Sequence, residues 1–262
     1  MKEIKNLFTP NTKVNKSTMI GLIVFQIIAA ITIYNWGAKA VLPRPGEIFK
    51  AFIDLFSEGI ILKEITTSTL LAIESMLITI IISLLISYLS QLKFFKPIAF
   101  IISKGRFLTL VGLSFVFTLY TNNGHQLKVS LLVYGISVFF TTSMLDVINT
   151  IKNYEYDHAR TLGLSEWHVI YEVVILGQLD KVFEIIRQTF AMAWMMLTMV
   201  ETISRSEGGI GTLLYDQNKY LHLDTVFAVQ ICVLLVGVGQ DYLFGMLKSI
   251  VCPYAELTIQ KS

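Results

Sequence analysis

Long apolar runs separated by short polar stretches make up most of this chain. The runs extend from about Thr18 to Trp36, Ile65 to Leu89, Pro97 to Tyr120, Leu127 to Ile148, Val182 to Ile203 and Val226 to Ile250. Each is near the roughly 20 residues a helix needs to cross hydrocarbon. The pattern predicts an all-α membrane protein with six transmembrane helices, because helices satisfy their own backbone polar groups in lipid. The third run is interrupted by Lys104-Gly105-Arg106. Pro45 to Phe56 is too short to span. It places Ile48, Phe49, Phe52 and Leu55 on one side, which predicts a helix lying along the membrane surface. Thr121 to Gly124 reads as a turn, and Ser204 to Thr225 as a longer polar loop.

One stretch breaks the pattern. Asn153 to Leu176 is polar to amphipathic, with apolar blocks on both sides. It predicts two short helices, Tyr154 to Leu162 and Ser165 to Ile175, reversing at Gly163, where glycine tolerates positive φ. Ser165 suits the N-cap of the second helix, with Glu166 near its positive end. Trp167, Ile170, Val173 and Val174 recur at spacings of three and four, predicting one apolar face. A helix lying on a bilayer would carry Lys or Arg on its polar face. This one carries Glu166, His168 and Glu172, with no Lys or Arg between Arg160 and Lys181. That charge sign favours a surface for docking a protein.

Composition supports the membrane reading. The 262 residues are 54% hydrophobic and 15% charged, whereas soluble domains carry about 25% charge. A net charge of +2 says nothing about nucleic acid, but no basic cluster of the kind a phosphate backbone needs is present, and no nucleic-acid partner is expected. Cys232 and Cys252 imply neither a disulfide framework nor a metal site. His125, His158, His168 and His222 are scattered without metal-ligand spacing. No nucleophile sits with a base, and no phosphate-binding lysine motif occurs, so the chain reads as neither an enzyme nor a nucleotide binder. Ala38-Lys39-Ala40 is a weak signal-peptide exit, and the first run reads as a retained span. Six spans divide the chain into a tail at 1–17, a transmembrane domain at 18–252 containing the loop at 153–177, and a tail at 253–262. Of the 21 Lys and Arg, twelve fall on the side of the termini and seven on the other. Lys104 and Arg106 lie within a span. The excess places both termini and the docking loop in the cytoplasm.

The loop resembles the EAA loop of permeases in binding-protein-dependent ABC importers. That pattern is E-A-A, three residues, Gly, nine residues, then I-x-L-P. Asp157-His158-Ala159 stands for E-A-A, and Gly163 falls at the required spacing. Val173, Ile175 and Leu176 take the I, L and P places. Ser165 to Trp167 is similar to the branch serving nitrate, sulfonate and taurine. His158 and Leu176 depart from the pattern. The resemblance also covers Leu42-Pro43-Arg44-Pro45, an L-P-x-P element that the family carries outside, before a short helix. It implies the type I importer permease fold, with Asp157, Ala159, Gly163, Ser165, Trp167, Ile170 and Val173 coupling to ABC ATPase subunits through a coupling helix. ATP and Mg would be bound by those partners, with no cofactor in this chain. It further implies a second permease copy, an extracytoplasmic solute-binding protein, and a place in the bacterial inner membrane.

Pathway candidates follow partly from charge at membrane depth, where ionisable groups are costly. Glu201 ends the fifth run, and the family carries a glutamate there before a glycine-containing loop. Here Gly208, Gly209 and Gly211 follow. A gate role is one reading, and a glutamate paired with Arg205 is the other. Arg106, with Lys104, would attract an anion, or else pair with Glu74 or Asp241. The family commonly has R-P-x-P in its third span. Phe107-Leu108-Thr109-Leu110 after Arg106 lacks those prolines and predicts loss of the break. The substrate implied is a small solute, read as an anion. Two rivals remain: a secondary transporter driven by an ion gradient, and a divergent permease half working in a heterodimer.

Overall fold

The computed structural model describes residues 16–37 and 42–253. Nearly all of the two expected tails, and Ala38-Lys39-Ala40, lie outside the described residues. Every regular element among the described residues is a helix. In order they are α1 (Lys16–Gly37), α2 (Pro45–Ser57), α3 (Ile60–Leu89), α4 (Lys96–Lys104), a 3₁₀ turn (Gly105–Phe107), α5 (Leu110–Tyr120) and α6 (Gly124–Thr150). Then come α7 (Asn153–Thr161), α8 (Glu166–Val169) continued by a π segment (Ile170–Leu176), α9 (Leu179–Ile203), α10 (Ile210–Lys219) and α11 (Leu223–Val251).

Within α1, α3, α6 and α11 lie stretches long and apolar enough to cross a membrane; α4 and α5 qualify only together, bent by 113°. Helix α9 matches them in length, at 25 residues. Its charges, Asp180, Lys181, Glu184, Arg187 and Glu201, keep it from qualifying by composition. Large apolar side chains face outward along α3 (Leu70, Leu77, Ile81, Leu85) and α11 (Leu234, Leu235, Val238, Leu243, Ile250). The apolar stretch of α1 has none of its residues buried inside the chain. Such continuous apolar skin marks a multi-pass membrane protein.

The core is the seam between α3 and α6. Ser68, Ala72, Ser75, Thr79, Ser83 and Ser87 are all buried, at spacings of three and four. Small residues let helix backbones approach, and tight packing is what holds helices together in lipid. Against this stripe sit Leu131, Leu132, Ile136, Phe140 and Met144 of α6, all but inaccessible. Ser83 Oγ donates to the Ser137 carbonyl at 3.3 Å.

Glu74 lies beside His125, Ser83 beside Ser137, and Tyr88 beside the Ile148 cluster, so α3 and α6 run parallel. A parallel pair needs a return path between them. The bent α4–α5 pair supplies it, climbing from the Leu89 end back to the level of Glu74.

The break within that return path corrects the expectation drawn from the missing prolines. Leu108 and Thr109 are extended, with ψ of 132° and 135°. Thr109 Oγ1 then caps α5 by accepting from the Gly112 amide at 3.4 Å. Upstream, the Tyr134 hydroxyl donates to the Gly105 carbonyl at 3.3 Å. A Cβ at Gly105 would come within 2.8 Å of that hydroxyl. Capping and a close helix contact replace proline as the cause of the kink.

Helix α2 forms where expected. The Glu47 carboxylate accepts from the Arg44 amide at 2.8 Å at its start. Its buried face is Ile48, Ala51, Phe52 and Leu55, and it packs on α11. Phe49 points away and is two-thirds exposed. Residues 204–225 are not loop throughout, because α10 occupies 210–219. Ile210, Leu213 and Leu214 carry its inward face.

Candidate functional site

The candidate residues gather at two opposite ends of the bundle. At one end, α7, α8 and the π segment form a hairpin hung from the ends of α3 and α6. Gly163 reverses the chain with φ of +78°, and nothing lies within 4 Å of where its Cβ would be. Arg160 clamps the two arms together. Its Nε and Nη2 donate to the Glu166 carboxylate at 2.9 and 3.1 Å, and its Nη1 to Asp157 at 3.0 Å. The hydrogen bond from Arg160 holds the Glu166 carboxyl below its ordinary range, and the same partners raise the Arg160 guanidinium. Ser165 occupies the N-cap position in extended backbone, yet its hydroxyl meets His168 Nδ1 at 2.8 Å instead of a backbone amide.

The inward face of the hairpin differs from the helical expectation. Val169 and Val174 are fully buried, while Trp167 is 68% exposed. The buried pair is five residues apart, as a π turn requires, and the Gly177 amide bonds to the Glu172 carbonyl across that spacing. The period of 3.6 assumed from sequence therefore slips along this arm. Ile170 and Val173 are partly buried and pack with Val174, Ile148, Ile151 and Tyr156. Ala159 is the buried residue of the first arm. Facing away are Tyr154, Leu162, Trp167 and Tyr171, each about half or more exposed. Asp157, His158, Glu166 and Glu172 lie exposed among them. A cleft of about 720 Å³ lies alongside, lined by Lys93, Lys96, Asn149, Tyr156 and Arg160 among others.

At the other end, Glu201 closes α9 with no solvent exposure. Both carboxyl oxygens accept hydrogen bonds, from Ser68 Oγ at 2.5 Å and from the Gly211 amide at 2.7 Å. Ser68 in turn accepts from the Ile210 amide at 2.8 Å, and Glu64 from the Gly209 amide at 2.5 Å. Gly208 and Gly209 have φ of +75° and +110°. A Cβ at Gly209 would run into the Glu201 carboxyl, and one at Gly211 into the Thr198 carbonyl. The three glycines therefore let the backbone wrap a buried carboxyl and tie α3, α9 and α10 together. Arg205 does not meet Glu201. It pairs with Asp216 at 3.6 Å and lies over the Tyr215 ring.

The remaining charges are not paired as expected. Glu74 meets His125 Nε2 at 3.0 Å, and Glu207 meets His125 Nδ1 at 2.9 Å. Lys128, fully buried, has its Nζ 3.5 Å from Glu207. Asp241 accepts from Arg187 at 2.5 and 2.6 Å, and Glu184 from Lys248 at 3.0 Å. The Trp194 indole donates to Gln240 nearby. Lys104 lies over Phe100 and Arg106 over Phe107, and among the described residues neither makes an ion pair. Sequence reasoning missed Ser68, Glu64 and the His125 cluster. The serine, threonine and alanine residues recurring every three or four positions from Ser68 to Ser87 are the signal that could have found Ser68.

No family model matches this chain, and no curated protein matches it either. Among solved structures, the chain is similar to one described as a crystal structure of an amino acid ABC transporter with histidines. The TM-score is 0.60 at 16% identity, covering 76% of this chain and 96% of that one. The likeness is one of fold: the helices are arranged as in that transporter's chain.

Proposed function

We propose that the chain is the membrane-spanning permease subunit of an ATP-driven ABC importer, with the hairpin at 153–177 as the handle for a separate ATPase. The observation that carries this reading is the hairpin itself. It is braced from within by Val169, Val174 and the Arg160 clamp, yet turns four large aromatic or aliphatic side chains and four acidic or imidazole groups outward. Exposed aromatics within a polar rim are the composition of a protein interface. Lipid would instead select basic residues on the polar face. The likeness of fold to an amino acid ABC transporter supports the same reading.

In this reading the chain makes six spans, counting the broken α4–α5 pair and the charged α9, with both termini cytoplasmic. Two copies face one another across a pathway in the bacterial inner membrane. A solute-binding protein docks at the opposite end, near α2 and α10. ATPase closure moves the hairpins and rocks the bundle between inward and outward states. The finer assignment, a small anion of the nitrate, sulfonate or taurine kind, rests on Ser165 and Trp167 alone. The test is Gly163→Asp in the complete transporter. The variant should insert normally and fail to copurify with its ATPase. Normal copurification would refute the docking assignment.

A further inference from the structure

We propose that His125 is a proton-operated latch fastening the α9–α10 loop to α3 and α6. Each ring nitrogen faces a carboxylate, Glu74 at 3.0 Å and Glu207 at 2.9 Å. Ionised carboxylates only accept, and a neutral imidazole has a single N–H. Both contacts are hydrogen bonds only when the ring carries two protons. Losing one, which passes to water, sets a nitrogen lone pair against carboxylate lone pairs. One of the two links then becomes repulsive.

The three groups come from separate elements: Glu74 from α3, His125 from α6, and Glu207 from the loop ahead of the glycine cradle. Other charged groups face the site from every element packed against it. Lys128, from the same helix, forms an ion pair with Glu207 at 3.5 Å that does not depend on the state of the ring. From α9, Glu201 is held by Ser68 and Gly211, and from α3, Glu64 by Gly209. Arg205 of the loop is turned to Asp216. Glu207 therefore keeps the Lys128 ammonium when the ring loses a proton, whereas Glu74 has no donor besides His125 among the described residues. His125, Glu74 and Glu207 are each 39–48% exposed, so the proton can exchange with solvent.

The latched loop holds one more proton than the released loop. Each pH unit climbed within the window where the two differ loosens the latch about tenfold. That the loop faces the incoming solute rests on the function proposed above, whereas the latch itself does not.

The experiment is amide hydrogen exchange on the full chain in lipid nanodiscs from about pH 5.5 to about pH 9, a range bracketing histidine titration. Rates are expressed as protection factors, which removes the intrinsic pH dependence. Protection of residues 204–209 should fall about tenfold or more in the wild type and stay flat in His125→Gln. Glu74→Gln offers a second check, because an amide can turn its NH₂ to the bare ring nitrogen. It should shrink the fall. A flat wild-type profile, or an undiminished fall in the variants, overturns the latch. Loss or retention of ATPase docking does not move this readout, so the two proposals fail separately.

Discussion

Removing the Glu201 carboxyl should destabilise the chain far more than neutralising it. In Glu201→Ala the Gly211 amide and Ser68 hydroxyl lose their acceptor in a site without solvent. A hydrogen bond to a charged group is worth about 1.5–3 kcal/mol net, and orphaned buried donors add to the loss, giving about 3–5 kcal/mol in total. Glu201→Gln keeps one carbonyl oxygen for the Gly211 amide. Its NH₂ can donate to Ser68 Oγ, which already accepts from Ile210. The cost should be about 1 kcal/mol, a charge-assisted bond exchanged for a neutral one. At about 2–4 °C per kcal/mol for chains approaching this size, the midpoints should fall by about 10 °C and about 3 °C. Thermal unfolding of the detergent-solubilised chain, read by size-exclusion of the surviving fraction, separates the two variants. Equal shifts, or an Ala variant as stable as wild type, would show that Glu201 is no tie between α3, α9 and α10.

Other outcomes follow from the same geometry. Gly211→Ala should cost several kcal/mol and abolish the folded fraction, since its Cβ meets the Thr198 backbone rather than a movable side chain; a normal size-exclusion profile would count against the cradle. Gly163→Asp should lose only about 1–2 kcal/mol, because the strain is one left-handed residue in open space; a thermal shift as large as that of Glu201→Ala would contradict this. Arg187→Ala and Asp241→Ala should each destabilise more than half as much as the double variant, each single change stranding its partner, and a double-mutant cycle reports the coupling. The Arg160–Glu166 clamp should persist above the ordinary carboxylate range and loosen as pH falls through the depressed Glu166 value. Trp167 fluorescence should register that loosening, and an acid titration unchanged in Glu166→Gln would refute it.

Much of this architecture was legible in the chain. Apolar length alone determined that helices cross a membrane, because hydrocarbon leaves the backbone no other partner. The reversal at Gly163 was also readable, since positive φ selects glycine. What sequence could not supply depended on distance in space. Glu74, His125 and Glu207 lie 51 and 82 positions apart and meet only because α3 and α6 run parallel. Arg187 and Asp241 meet only because α9 and α11 run antiparallel. The kink ahead of α5 needs Tyr134 from another helix, and the π segment shifts the face that an ideal helical period assigned to Trp167. Periodicity reports what each helix can bury, whereas the depth and rotation at which helices pack decide which charges touch.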